Sequence, residues 1–157
     1  MFPSIQAQLL TMLDTRAEAI DLALARIPDK RLFVPIAPNT NSAGNLALHL
    51  AGNLRTLIGL AAGDVDYTRD RDAEFSTTGL SGAEVLEEFR GAIAVCRQVI
   101  SAFDGARWVE RCTNPWNDNE TRGEHILKAM EHLGYHAGQI VLIAKVMDLV
   151  GSPEARR

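Results

Sequence analysis

Residues 124–139 read Glu124-His125-Ile126-Leu127-Lys128-Ala129-Met130-Glu131-His132-Leu133-Gly134-Tyr135-His136-Ala137-Gly138-Gln139 and hold three of the chain's four histidines. A helix turns about 100° per residue, so seven residues return a side chain to within about 20° of its starting direction. His125, His132 and His136 therefore share one line along one helical face. His132 and His136 stand one turn apart, with Cβ atoms roughly 6 Å from each other. That is close enough for two imidazoles to hold one ion. The remaining histidine, His49, lies in an earlier apolar segment that also reads as helix, and it can supply a third ligand across a helix interface.

Three more helices precede this one. Apolar residues at helical spacing, from Ile5 through Leu9, Leu13, Ile20 and Leu24, predict a first helix from about Ser4 to Ile27, stopped by Pro28. A connector of three prolines follows to Thr40, with Leu32, Phe33, Val34 and Ile36 expected to tuck onto the bundle. Asn41 or Ser42 caps a second helix that runs to about Ala62, with Gly63 as its stop. Its inward stripe is Leu46, His49, Leu50, Asn53, Leu57 and Leu60. The stretch 64–79 reads as polar and irregular. Ser81-Gly82-Ala83-Glu84 is a capping box opening a third helix to about Phe103, which buries Val85, Leu86, Phe89, Ile93, Cys96 and Ile100. A second capping box, Thr121-Arg122-Gly123-Glu124, opens the fourth helix, closed near Val150 by Gly151 and Pro153. The reading is all-α: a four-helix bundle with long connectors, one domain over 1–157, frayed over 153–157.

Composition fits that reading. Hydrophobic residues make up 46% of the 157 and charged residues 23%, with a formal net charge of −4. These are values of an ordinary globular chain, and an acidic balance argues against a nucleic-acid partner. No apolar run approaches a membrane span, and no basic segment of a signal peptide precedes one, so a cytoplasmic protein is expected. Cys96 and Cys112 make no CxxC and are expected to be free thiols.

Zinc, nickel and similar ions accept neutral imidazole nitrogens, and three histidines leave a position open for water or substrate. The competing reading makes His132 and His136 hydrogen-bonded core residues, because HxxxH is a short motif. Against it stands the cost of burying several imidazoles in one apolar seam with nothing to satisfy their nitrogens. The glutamate of HExxH zinc proteases is absent, as is any Glu-x-x-His pair of the di-iron bundles. His125 shares the histidine direction but lies roughly 10 Å along the axis from His132. It is read as no ligand, near an exposed helix start, hydrogen-bonded locally.

Gln139 and Asn53 lie near the histidine faces. Each is either a partner that orients a ligand imidazole or a bound water, or a half-buried amide. Arg55, Arg69 and Arg71 read as a clamp for a substrate carboxylate or as a solvated charged surface. Trp108 and Trp116 read as seals of the core. Nothing near Cys112 in sequence would depress its pKa. Gly134 and Gly138, one turn apart, call for close approach by another helix, of this chain or of a dimer partner.

The runs Asn45-Leu46-Ala47-Leu48-His49-Leu50-Ala51-Gly52-Asn53-Leu54-Arg55, Arg69-Asp70-Arg71-Asp72 and Glu131-His132-Leu133-Gly134-Tyr135-His136-Ala137-Gly138-Gln139-Ile140 resemble the DinB superfamily over nearly the whole chain, in an uncharacterised branch. The resemblance implies a DinB-type bundle, commonly a homodimer, with His49, His132 and His136 binding a divalent metal such as nickel or zinc. Characterised relatives include bacillithiol S-transferases and mycothiol-dependent maleylpyruvate isomerase, and others are described as metal-dependent hydrolases. Two functional readings follow. The first is a metal-dependent enzyme that activates a low-molecular-weight thiol or a water against a small-molecule substrate. The second is a non-catalytic dimeric bundle that binds metal or a small molecule. A metal-free structural bundle is the third possibility.

Overall fold

The computed structural model describes residues 4–112 and 119–151. Helix α1 (Ile5–Leu24) starts at Ser4, whose hydroxyl accepts from the Ala7 amide. It ends before the expected stop. Pro28 instead precedes a four-residue helix, α2 (Asp29–Leu32), as its N-cap, a place that tolerates a locked φ and a missing amide hydrogen. Leu32 is fully buried and Phe33 half-buried, but Val34 and Ile36 are exposed, so only the first half of the connector tucks in.

Helix α3 (Ala43–Leu54) is capped by Ser42, which accepts from the Asn45 amide at 3.1 Å. It runs without a break into a π-helical stretch, Arg55–Ala62. Bonds from i to i+5 take more residues per turn and rotate every side chain downstream. The expected inward stripe through Leu57 and Leu60 is displaced within that stretch: those two are half-buried, while Ile58 is fully buried, as is Leu54 at the end of α3. The stop moves as well. Gly63 has φ −106°, and the left-handed residue is Asp64, φ 57°. A short polar side chain tolerates that conformation, and Asp64 accepts hydrogen bonds from Arg107 at 2.6 Å and Arg122 at 2.9 Å.

The stretch expected to be irregular holds a short helix, α4 (Arg71–Ser76), capped by Asp70, which accepts from the Ala73 amide at 2.9 Å. Helix α5 (Gly82–Ala102) carries the expected capping box at Ser81 and Glu84 and buries Val85, Phe89, Ile93, Cys96 and Ile100. Leu86 is half-buried. A 3₁₀ turn, Gly105–Val109, sets Trp108 edge-on to Phe103, and a Cβ on Gly123 would meet its indole at 2.7 Å. Helix α6 (Arg122–Gly151) opens with the second box: the Thr121 amide donates to Glu124 at 2.7 Å, and the Glu124 amide donates to the Thr121 hydroxyl at 3.2 Å. The readings of Trp116, Pro153 and the tail 153–157 fall outside the described residues.

Helices α1 and α3 occupy opposite corners of the bundle, each flanked by α5 and α6. Leu13 and Ile20 of α1, Leu50 and Leu54 of α3, Phe89 of α5 and Leu133 of α6 are fully buried between them. Each large apolar side chain removed from water contributes about 1.5–3 kcal/mol. That core stands independently of the histidines. Among the described residues no helix is long and apolar enough to cross a membrane.

The glycines of α6 behave differently from the expectation within the chain. A Cβ on Gly138 would meet open space, and one on Gly134 would come no nearer than 3.8 Å to the Arg16 side chain. Among the described residues no other helix packs closely on that ridge. Phe89 is the largest fully buried side chain. Phe89→Ala is expected to lower unfolding stability by about 3–5 kcal/mol, read as an earlier midpoint in denaturant titration with the helical signal of the folded state retained.

Candidate metal centre

The one-turn spacing of α6 places His132 and His136 together on the side facing α3, and the cap at Ser42 phases α3 so that His49 faces back. The three rings meet in the seam. Their centroids lie 5.0 Å (His49–His132), 5.2 Å (His49–His136) and 4.4 Å (His132–His136) apart, all edge-on. His49 Nε2 and His132 Nε2 are 2.9 Å apart. One nitrogen from each ring lies within 4.8 Å of the other two, against a separation of at most about 4.2 Å for nitrogens sharing one ion at about 2.1 Å. The set can hold a metal ion after a small rotation of the rings.

Two of the donors, His132 and His136, are held in the neutral form that binds metal. Burial, then the neighbouring imidazoles of His136 and His49, holds His132 down to about 4. Burial also pushes His136 down, against a smaller upward pull from its hydrogen bond to Gln139. Both are neutral at neutral pH. The Gln139 amide oxygen lies 2.6 Å from His136 Nδ1. An amide oxygen accepts, so Nδ1 carries the proton and the Nε2 lone pair is left free. Gln139 is half-buried beside the His136 ring.

His49 has neighbours that the sequence reading did not assign to it. Its Nδ1 lies 2.9 Å from Glu74 Oε2, and Arg69 donates to both oxygens of Glu74, at 2.6 and 2.8 Å. Burial alone would push the Glu74 carboxyl up. The hydrogen bonds and charges of Arg69 and His49 outweigh it and hold the group below the usual carboxylate range. Glu74 falls in the stretch 64–79, which reads as polar and irregular. Its signal in sequence was the pairing of Asp70, a helix cap, with an unexplained glycine, Gly52, three residues past His49.

Asn53 lies beside the cluster. With Leu57, Lys128, Glu131, His132 and Tyr135 it lines a cavity of about 410 Å³ that reaches one of the three imidazoles. Its Oδ1 is buried without a hydrogen-bond partner among the described residues. The arginines part company. Arg69 turns inward to Glu74, Arg55 pairs with Glu88 at 3.0 Å, and Arg71 lies over the Phe75 ring at 5.3 Å. They form no common clamp. Both cysteines are free and buried. Desolvation pushes Cys96 up to about 12 and raises Cys112 as well, so neither is an activated thiolate.

His125 is absent from the cluster, as its axial distance requires. It is buried, however, at 1% exposure, and not exposed as its place in the first turn implied. Glu120, leading into α6, lies 3.5 Å from its Nδ1.

The family of unknown function named DUF1572 matches residues 5–150. The chain belongs to that family. No curated protein matches it. Among solved structures, a conserved protein from Enterococcus faecalis superposes with a TM-score of 0.74 at 15% identity, over 92% of this chain and 97% of that one. A DinB-like protein from Bacillus cereus ATCC 10987 gives 0.73 at 13% identity, over 94% and 95%. At such identities the likeness is one of fold, and the fold is the DinB-like helical bundle that the histidine runs implied.

Burial is the largest influence on His125 and lowers its pKa from the ordinary 6.5. Glu120 and Glu124 pull it back up and Lys128 pushes it down. The folded state therefore binds fewer protons than the unfolded one below pH 6.5, and stability falls as the pH drops through that window. His132 and His136 share this behaviour. His125→Gln is expected to reduce, without abolishing, the loss of stability on acidification, measured by denaturant unfolding across that range. An unchanged pH slope would mean that His125 titrates alike in both states.

Proposed function

We propose that His49, His132 and His136 hold one divalent ion, nickel or zinc by the chemistry of an all-imidazole set, and that the ion serves a metal-dependent enzyme. The observation that carries this is the convergence of three imidazoles from two helices on one point of a buried seam. When bound there, the ion supplies Lewis-acid chemistry, lowering the pKa of a thiol or a water for transfer or hydrolysis. The chain's own part is positional. Gln139 directs the His136 ring. Asn53 lines the adjoining cavity beside His132. Tyr135 and Leu57 give that cavity its apolar wall.

A second reading, a non-catalytic bundle that binds metal or a small molecule, draws on the same cavity. Besides His132, its titratable side chains are Lys128, Glu131 and Tyr135, all three exposed. None of these is a buried acid or base poised for proton transfer. Thiol consumption with a panel of electrophiles separates the two readings.

His49→Ala, His132→Ala and His136→Ala are each expected to lose most of the bound metal, by elemental analysis of untagged protein, with helix content retained because the apolar core does not include the ion. Near-stoichiometric metal in all three variants would sink the site.

We also propose that the fourth helix pairs with a second copy of the chain. Leu127, Tyr135 and Leu142 are exposed along one stripe of α6, with Gly138 between them open to close approach. Leu142→Glu is expected to raise the dimer dissociation constant at least tenfold, by light scattering over a concentration series. A wild type that stays monomeric at micromolar concentration rejects the pairing.

A further inference from the structure

Glu74 occupies a place that three other residues prepare. The first is Gly52. It lies inside α3, where glycine costs about 1 kcal/mol relative to alanine. A Cβ built there would fall 1.9 Å from Glu74 Oε1 and 2.8 Å from its carboxyl carbon. The helix gives up a side chain so that a carboxylate can lie against it. The second is Arg69, whose guanidinium grips both oxygens of Glu74 and fixes the plane of the group. The third is Asn45. Its Oδ1 accepts from the Ser42 hydroxyl at 2.5 Å, and its Nδ2 donates to the main-chain carbonyls of Glu74 at 3.1 Å and Thr77 at 2.9 Å. That pair of bonds hangs α4 on α3 at the point where Glu74 is needed.

We propose that Glu74 is a positioning residue for His49. Its carboxylate holds the proton on Nδ1 and aims the Nε2 lone pair at His132 and His136, while Gly52 and Arg69 make its position possible. The tautomer follows from the contacts. A carboxylate oxygen 2.9 Å from an unprotonated Nδ1 would set two lone pairs against each other. With the proton on Nδ1 the contact is a charge-assisted hydrogen bond. Arg69 Nη2, 3.1 Å from the same nitrogen, then directs its hydrogen to Glu74 Oε2 at 2.8 Å. A ligating imidazole held on its far nitrogen by a carboxylate binds metal more tightly, and loss of such a partner typically weakens affinity about 10–100-fold. That consequence rests on the metal reading above. The tautomer does not.

The experiment has two arms. In metal-free wild type, long-range proton–nitrogen NMR of the imidazoles is expected to show His49 protonated on Nδ1. A proton on Nε2 instead overturns the proposal without any variant. In the second arm, zinc affinity is measured by competition with a chromophoric chelator for wild type, Glu74→Gln and Gly52→Ala. A glutamine amide has one acceptor to offer where Arg69 and His49 both need one, and an alanine Cβ at residue 52 displaces the carboxylate. Both variants are expected to bind zinc about 10–100-fold more weakly, with His49 no longer confined to one tautomer. Wild type that binds zinc, with affinity unchanged in both variants, overturns the positioning role. Wild type that binds no zinc overturns the metal reading and leaves the tautomer measurement to decide this one.

Discussion

Three imidazoles share one buried seam, and the arrangement around them follows from what that burial costs. A ring nitrogen away from water needs a partner. The outer nitrogens of two rings find theirs within the chain: Nδ1 of His49 faces Glu74 and Nδ1 of His136 faces Gln139. These partners come from different elements, α4 in one case and α6 itself in the other. They leave nitrogens converging on the inside, with 2.9 Å between Nε2 of His49 and Nε2 of His132. One proton in that gap serves two rings. A cation serves three. The proposed ion would satisfy all three at once.

The parts of this fold that were legible in the sequence are those governed by local rules. Both capping boxes name their helix starts because two side chains and two amides must meet within four residues. The HxxxH spacing and the axial offset of His125 follow from helix geometry alone, and the structure keeps the first together and the second apart. His49 was legible as the third member because it sits on an apolar stripe, where an imidazole needs a reason to be. The same kind of reasoning misjudged His125. A first-turn position argues for exposure only if nothing packs over it, and that depends on segments remote in sequence.

What stayed hidden depends on long-range packing. Within the π-helical stretch from Arg55 to Ala62, Ile58 reaches the deepest core while Leu57 and Leu60 stay half-buried. No local rule marks where α turns give way to π turns, so a stripe extrapolated through it points the wrong way. Glycine gave mixed signals for a related reason. Gly134 and Gly138 were read as a helix contact, and within the chain they face open space or the side of Arg16. Gly52 drew no such reading, yet the Glu74 carboxylate lies against it. A helical glycine announces that something comes close. It does not say whether that is a backbone, a carboxylate or another molecule.

Seen along α3, the polar residues have an order of their own. Ser42, Asn45, His49 and Gly52 recur at steps of three and four, so they fall on one face. Ser42 fixes Asn45, Asn45 holds the backbone of α4, Gly52 receives Glu74, and Glu74 meets His49. Helix α4 is six residues long, far too short to persist by its own hydrogen bonds. It exists because this face of α3 and the grip of Arg69 hold it. The neighbouring face, through Leu46, Leu50 and Leu54, packs into the apolar core. One helix therefore carries two separate duties at two angles. Its apolar face fixes where the imidazole stands relative to α6, and its polar face fixes which nitrogen that imidazole presents.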